Sequence, residues 1–449
     1  MPRKLVAVAQ TSPPEERANN LLFLDYLSVR SLTERLAAPL SAEDQTVQSM
    51  PDASPTKWHR AHTSWFFETF VLEPNDDSYR CFNPDFRFLF NSYYEAVGPR
   101  PPRPERGLLS RPGAAEISRY RGHVDEAMLE VLQRTGALDP VVELGLHHEQ
   151  QHQELLVMDI KHALSLNPLA PRYHDGPGPQ PGLVGRRPAT REGARLPSWW
   201  EHEGGKVDIG HEGNGFGFDN EFPRHPVHLA PFGLARYPVS NADWLAFMDD
   251  GGYHRPELWL SDGWSTVQSE GWEAPLYWNH EKDNWTVFTL DGRLAVDPAE
   301  PVCHVSYFEA DAFAHWSGFR LPTEAEWETV AAAGWPQAEQ SNLLDPQCLH
   351  PRSAVPGHLG HDPESSEAGP VDLYGHVWEW TASAYLPYPR FRANPGALGE
   401  YNGKFMSGQH VLRGGSCATP PGHIRPTYRN FFPPGSRWAF SGVRLAVDL

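Results

Sequence analysis

The chain has 449 residues, enough for two or three domains with cores of their own, and its 40% hydrophobic and 12% aromatic content marks it as globular. Fifty-seven acidic residues against 38 basic ones give a net charge of −19, which argues against binding a phosphate backbone. No apolar run reaches membrane-spanning length and residues 1–10 lack a signal peptide's apolar core. The four cysteines (Cys81, Cys303, Cys348, Cys417) are far apart with no CxxC, so we expect a cytoplasmic enzyme with neither a disulfide framework nor a zinc ribbon.

A first domain is expected over residues 1–170. Its first helix spans Glu15 to Ala38, with Leu21, Leu24, Leu27 or Ser28, Leu32 and Leu36 near helical spacing. A second begins at Ser54-Pro55, cap then proline, and runs to about Leu72. Its stripe reads Trp58, His62, Trp65, Thr69, with a histidine where an apolar residue belongs; His59 shares a face with His62 and Phe66, and spacing does not exclude it. Phe82 to Gly113 is rich in Pro and Arg and reads as a long loop. A third helix, Ala114 to Arg134, turns Ile117, Tyr120, Val124, Met128 and Val131 inward. A fourth starts at Asp139-Pro140, a side-chain cap followed by a ring whose missing N–H costs nothing at the first helical position. Its inward stripe is Val141, Leu144, His148, His152, Leu155. Four helices with one long excursion make a bundle.

His148 and His152 lie one turn apart, so both imidazoles project from one face, as metal ligands do. The plain alternative is two partly exposed histidines on a helix face made polar by Glu149, Gln150, Gln151, Gln153 and Glu154. A third ligand must come from another element, and His62 on the second helix would put three nitrogens on one side of an ion and leave the other side open. Three neutral imidazoles suit Zn(II), Fe(II), Cu or Ni. Tyr93 and Tyr94, adjacent in the long loop, are phenols able to give a proton, alone or with an electron, to oxygen chemistry; the alternative is simple packing. Arg100, Arg103 and Arg106 form either a solvated basic face or a carboxylate-binding cluster, and a net charge of −19 favours the latter for a small anionic substrate.

Residues 171–198, rich in Pro, Gly and Arg, read as a linker. From 199 to 449 short β-like runs alternate with turns, as in GGKVDIG, RHPVHLAPFGLARYPVS and LRGGS, with helical pieces at Asn241–Asp249 and Thr323–Ala333. This is an α+β domain, without tandem repeats and without a Gly-rich strand-to-helix loop, so nucleotide binding has no support.

Four motifs then stand in order: RLPTEAEWE (Arg320 to Glu328), GHVWEWTAS (Gly375 to Ser383), LRGGS (Leu412 to Ser416) and SGVRLA (Ser441 to Ala446). They resemble the formylglycine-generating-enzyme or sulfatase-modifying-factor fold, a C-type-lectin-like domain. The first half, with WHRAHTSWFFE and HHEQQHQE, resembles the DinB-like helical bundle. The fusion resembles the sulfoxide synthases of ergothioneine biosynthesis, the hercynine oxygenases. The fold class implied is multidomain, α and α+β: a DinB-like four-helix bundle followed by a sulfatase-modifying-factor domain.

The resemblance implies a nonheme Fe(II) enzyme that uses O2 to join a cysteine-type thiol to C2 of the hercynine imidazole as a sulfoxide. It implies His62, His148 and His152 as metal ligands and Tyr93 and Tyr94 as catalytic residues. Arg103 and Arg106 match a carboxylate clamp, Gln151 a residue touching the hercynine imidazole, and Asn430, Phe431 and Phe432 a loop facing its trimethylammonium and carboxylate. Ring faces hold a quaternary ammonium well, so the Phe pair also makes chemical sense. NSYYEAVGPRPPRPERG is similar to the branch that takes cysteine rather than γ-glutamylcysteine. Cys417 follows RGGS with no second cysteine C-terminal to it, a departure from the copper-binding cysteine pair of formylglycine-generating enzymes, so Cys417 is expected to be a small buried residue and the second domain a scaffold. The partners implied are hercynine, cysteine or γ-glutamylcysteine, and O2, with no nucleic acid or membrane and homo-oligomerisation left open. The rival readings are a Zn(II)-dependent thiol transferase on the bundle, a lectin-like binding module with a structural metal, and the related synthase that joins cysteine to histidine itself.

Overall fold

The computed structural model describes residues 14–135, 140–174, 197–282, 284–334, 341–352 and 369–449; Asp139 and most of the expected linker lie outside the described residues. The chain divides into two compact units. One runs to Ala163 and also takes in Gly396–Glu400; the other comprises Leu164–Pro395 and Tyr401–Leu449. No helix among the described residues is long and apolar enough to cross a membrane.

In the first unit the long helices are α1 (Pro14–Ala37), α2 (Thr56–Phe67), α3 (Ala114–Thr135) and α4 (Pro140–Ser165). All twelve residues of α2 are buried, so it is the bundle's central rod, and it continues through a π-helical turn over Glu68–Leu72. The third helix buries Ile117, Tyr120, Val124, Met128 and Val131 as its period predicts. Gly145 lets α4 close on α2, since a Cβ there would stand 2.6 Å from the Phe67 ring.

Two expected faces are displaced. On α1, Leu21 and Leu24 are 62% and 57% exposed, while Leu22, Tyr26, Val29, Arg30, Thr33 and Leu36 face inward. On α4 the expected stripe of Val141, Leu144 and Leu155 is only half-buried, and Val142, Leu146, Glu149, Gln153 and Leu156 go inside. The reason is ionic. Arg30 Nη1 donates to Glu149 Oε2 at 2.7 Å, Arg121 Nη2 to Glu149 Oε1 at 3.0 Å, and Thr33 Oγ1 to Glu149 Oε1 at 2.6 Å. A buried charge is tolerated only when paired and hydrogen-bonded in this way, and an apolar count reads such a face as solvent. Ser54 does not cap α2 with its side chain; its hydroxyl accepts from Arg106 Nη1 at 2.9 Å.

Among its described residues the second unit carries four small sheets. β1 (Trp199–His202), β4 (Phe232–Ala235) and β12 (Ala446–Asp448) form one; β2 (Gly205–Ile209) and β3 (His225–Leu229) a hairpin. A three-stranded sheet follows from β5 (Trp278–Glu281), β6 (Asn284–Thr289) and β7 (Gly292–Ala295). The last has the order β10-β9-β8-β11, from Asn430–Phe432, His410–Arg413, Trp378–Ala384 and Ser441–Gly442. Helices at Asn241–Asp249, Tyr307–Ser317 and Glu324–Ala332 each begin with a reciprocal capping box, from Ser240, Ser306 and Thr323.

The four sequence motifs meet inside this unit. Arg413 of LRGGS donates to Glu324 and Glu328 of TEAEWE, both at 3.0 Å; Arg444 of SGVRLA binds Glu379 of VWEWT at 2.7 Å, and Glu379 also accepts Trp327 Nε1–H at 2.7 Å. Gly414 takes φ +101° with the Leu373 carbonyl 2.5 Å from where a Cβ would be, a position only glycine fills. These motifs therefore build the interior of the unit. Cys417 is buried there.

Candidate metal centre

The centre forms where α2 faces α4. His62, His148 and His152 each offer one ring nitrogen, and these atoms lie within 4.8 Å of one another. The closest pair, His62 Nε2 and His148 Nε2, is 3.2 Å apart. Two nitrogens each about 2.1 Å from one ion, at a right angle, stand about 3 Å apart, so this spacing suits a shared metal. His62 Nδ1–H donates to the Phe90 carbonyl at 2.6 Å, which fixes the tautomer with Nε2 bare.

Burial holds all three imidazoles neutral, as ligands must be. It pushes His148 down to about 3. His62 and His152 are lowered by burial first and then by the neighbouring histidines. The donor set and its protonation thus fit a divalent transition metal.

Around His62 the rings form a ladder. Trp58 stacks on one face at 4.6 Å and Trp65 on the other at 5.4 Å, one turn before and after. Tyr94 follows Trp65 at 5.5 Å, and Tyr93 stacks on Tyr94 at 4.8 Å. Tyr94 is fully buried and Tyr93 half-buried. Asn91 closes this turn: its Nδ2 donates to the Tyr94 and Gly98 carbonyls, and its Oδ1 accepts the Tyr94 N–H. The Glu400 carboxylate, from the returning segment, accepts the next two amides, those of Glu95 and Ala96, at 3.0 and 2.8 Å.

At the ladder's other end the Arg106 guanidinium lies 3.4 Å from the Trp58 ring centre. Arg106 is buried, and among the described residues no carboxylate lies within ion-pair distance of it. Burial, then Arg103 and Arg100, make this cation easier to deprotonate than usual, so a bound anion would relieve it. Arg103 is exposed and donates to the Asp52 carbonyl, and Arg100 pairs with Glu95 at 3.0 Å, so the three arginines are not equivalent. Gln151 is half-buried beside His152 on α4.

In the second unit Asn430, Phe431 and Phe432 form β10, all half-buried. Phe431 stacks on Tyr385 at 4.0 Å with Phe405 at 5.9 Å, and Phe432 meets Trp438 edge-on at 5.5 Å.

Two residues near the triad were not singled out as functional by sequence. His59, left open as a ligand, stands outside the triad with its Nδ1 2.8 Å from His152 Nδ1, and its Nε2 is 3.0 Å from Asp159 Oδ2. The signal was present: His59 is three residues before His62, and Asp159 seven after His152, each on its ligand's face.

Fold and site define a class: a three-histidine helical bundle on one chain with a sulfatase-modifying-factor-like domain. The sulfatase-modifying factor enzyme 1-like domain family matches residues 187–449. The chain is 34% identical to the hercynine oxygenase of Mycolicibacterium smegmatis over 427 residues, covering 90% of this chain and 93% of that one. It is 34% identical to the hercynine oxygenase of Mycolicibacterium thermoresistibile over 419 residues, covering 89% and 88%. A formylglycine-generating enzyme of Streptomyces coelicolor is 30% identical over 305 residues, covering 60% of this chain and 93% of that enzyme. The chain belongs to the hercynine oxygenase family, and is an enzyme of the oxygenase class.

Proposed function

We propose that the protein is a cytoplasmic, nonheme iron(II)- and O2-dependent sulfoxide synthase that joins the sulfur of cysteine to C2 of the hercynine imidazole, giving hercynylcysteine sulfoxide in ergothioneine biosynthesis. The observation that carries this is the convergence of three neutral imidazoles, His62, His148 and His152, on one point. In the reaction the C2–H and S–H bonds break and the C–S and S–O bonds form; one atom of O2 enters the sulfoxide and the other leaves as water. Bound iron supplies the redox chemistry and favours the thiolate over the thiol.

The chain's residues do the rest. Arg106, buried and without a carboxylate partner among the described residues, takes the carboxylate of the thiol substrate, with Arg103 as the outer member of the clamp. Gln151 addresses the hercynine imidazole. Asn430 and the Phe431–Phe432 pair handle its carboxylate and trimethylammonium, the latter through ring faces. Tyr93 and Tyr94 deliver the proton that directs sulfur toward sulfoxide instead of thiol dioxygenation, and Asn91 and Glu400 hold their turn in shape.

The test is aerobic incubation of Fe(II)-loaded protein with hercynine and either cysteine or γ-glutamylcysteine, with products read by mass. Hercynylcysteine sulfoxide from the cysteine arm is expected. Product from the γ-glutamylcysteine arm alone would replace the donor, and activity that survives strict exclusion of O2 would replace the oxygenase by a zinc-type thiol transferase. Tyr93→Phe or Tyr94→Phe should shift product toward cysteine sulfinate; an unchanged ratio in both removes the tyrosine assignment.

A further inference from the structure

Asp159 sits seven residues beyond His152 on α4, and His59 three residues before His62 on α2, so both lie on faces that carry ligands. Their contacts to each other and to Ser54 are buried, and the contact to His152 is partly buried. Asp159 Oδ2 accepts the Ser54 backbone N–H at 2.7 Å and stands 3.0 Å from His59 Nε2; His59 Nδ1 stands 2.8 Å from His152 Nδ1. Asp159 and His59 are each at most 4% exposed.

The protons in this line are determined one after another. Asp159 Oδ2 already acts as an acceptor toward the Ser54 N–H, so His59, 3.0 Å from the same oxygen, carries its hydrogen on Nε2. A neutral His59 then has a lone pair on Nδ1. Two lone pairs cannot face each other at 2.8 Å, so His152 carries its hydrogen on Nδ1. His152 is left with a bare Nε2, the nitrogen a metal needs.

We propose that Asp159 and His59 are positioning residues that act in series, setting the tautomer and ring orientation of the ligand His152. His59 is thereby an outer partner of the centre and not an alternative ligand. This rests on the three-histidine reading of the metal site and not on the identity of the substrates. His62 obtains the same result from one backbone carbonyl, that of Phe90. His152 lacks such a carbonyl because its Nδ1 points across to α2, and the relay takes the carbonyl's place. Outer-sphere partners of this kind are worth about 10–100-fold in metal affinity.

The experiment uses the full chain with Co(II) alone, in three forms: wild type, Asp159→Ala and Asp159→Asn. Affinity is taken from a competition titration and ligand geometry from the visible Co(II) spectrum. Nitrogen NMR of histidine-labelled, Zn(II)-loaded protein reads the tautomers directly. Expected are His59 protonated on Nε2 and His152 on Nδ1 in the wild type. Asp159→Ala should bind Co(II) about 10–100-fold more weakly. Asp159→Asn, which keeps an acceptor oxygen, should recover part of that loss. Wild-type affinity in both variants, a hydrogen on His59 Nδ1, or a spectrum showing His59 bound to Co(II) would overturn the relay. Failure of the wild type itself to bind Co(II) would overturn the metal site beneath it. If Asp159→Ala does not fold, the wild-type tautomers and Asp159→Asn still decide the matter.

Discussion

Both units bury arginines and carboxylates, yet they use them differently. In the second unit Arg413, Arg429 and Arg444 are each matched by Glu324, Glu328 or Glu379, and indole and backbone groups add further hydrogen bonds. That lattice is matched charge for charge. In the first unit Arg30 and Arg121 are likewise matched by Glu149, next to His148, whereas Arg106 has no carboxylate within ion-pair distance among the described residues and three imidazole nitrogens converge on one point. Charge-matched clusters are architecture; chemistry is sought where a buried cation and converging ring nitrogens are not matched by charge.

The comparison can be broken most decisively at the open centre. His62→Ala or His148→Ala should take bound metal from stoichiometric to background in elemental analysis while the metal-free protein melts close to wild type. Retention of metal would mean that the centre lies elsewhere.

Next come the closed clusters. Glu149→Ala removes the fully buried carboxylate shared by Arg30 and Arg121, leaving them only Asp125 and Glu34, and should cost about 3 kcal/mol in urea unfolding. The same site predicts acid sensitivity. Burial alone would raise the Glu149 pKa, but Arg30, Arg121 and Thr33 outweigh it and bring it to about 2, against an ordinary 4.5. His148 is held down to about 3 by burial. In each case the unfolded chain binds the proton at a higher pH than the folded one. Stability is therefore complete above about pH 6.5 and falls as acid is added, first through His148 and then through Glu149 below about pH 4.5. Thermal melts of metal-free protein from neutral pH downward should show this decline; a flat profile would contradict the burial of these groups.

Arg106→Met separates the two kinds of cation most sharply. It removes a buried charge that has no carboxylate partner among the described residues, so the melting temperature should hold or rise. KM for the thiol substrate should rise about tenfold or more, as loss of a charge-assisted hydrogen bond implies. A fall in stability instead would place Arg106 among the structural ions. The smallest effect is expected from Glu400→Gln, about 1 kcal/mol or less, seen as faster hydrogen exchange at the Glu95 and Ala96 amides.

Much of this was legible in the sequence. The four long helices, the His62, His148 and His152 set, and the capped helices after Ser240 and Thr323 all follow from periodicity, capping residues or motif resemblance. The inward faces of α1 and α4 did not, because Arg30, Thr33, Glu149 and Gln153 look like surface until their partners, up to 124 residues away, are known. Asp159 shares the face of His152 by spacing, but its partners Ser54 and His59 lie 105 and 100 residues away. Ser54 reads as a cap because local spacing cannot show that Arg106, 52 residues on, claims its hydroxyl.

The stretch from Gly396 to Glu400 belongs with the helical unit, although the whole of Leu164–Pro395 of the other unit precedes it. A fragment ending near residue 170 would therefore contain every histidine of the centre yet lack the carboxylate that grips the turn after Tyr93 and Tyr94. Such a fragment should load metal normally while its tyrosines wander. Fusion here is more than tethering: a segment from far downstream in the chain completes the helical unit's own hydrogen bonding.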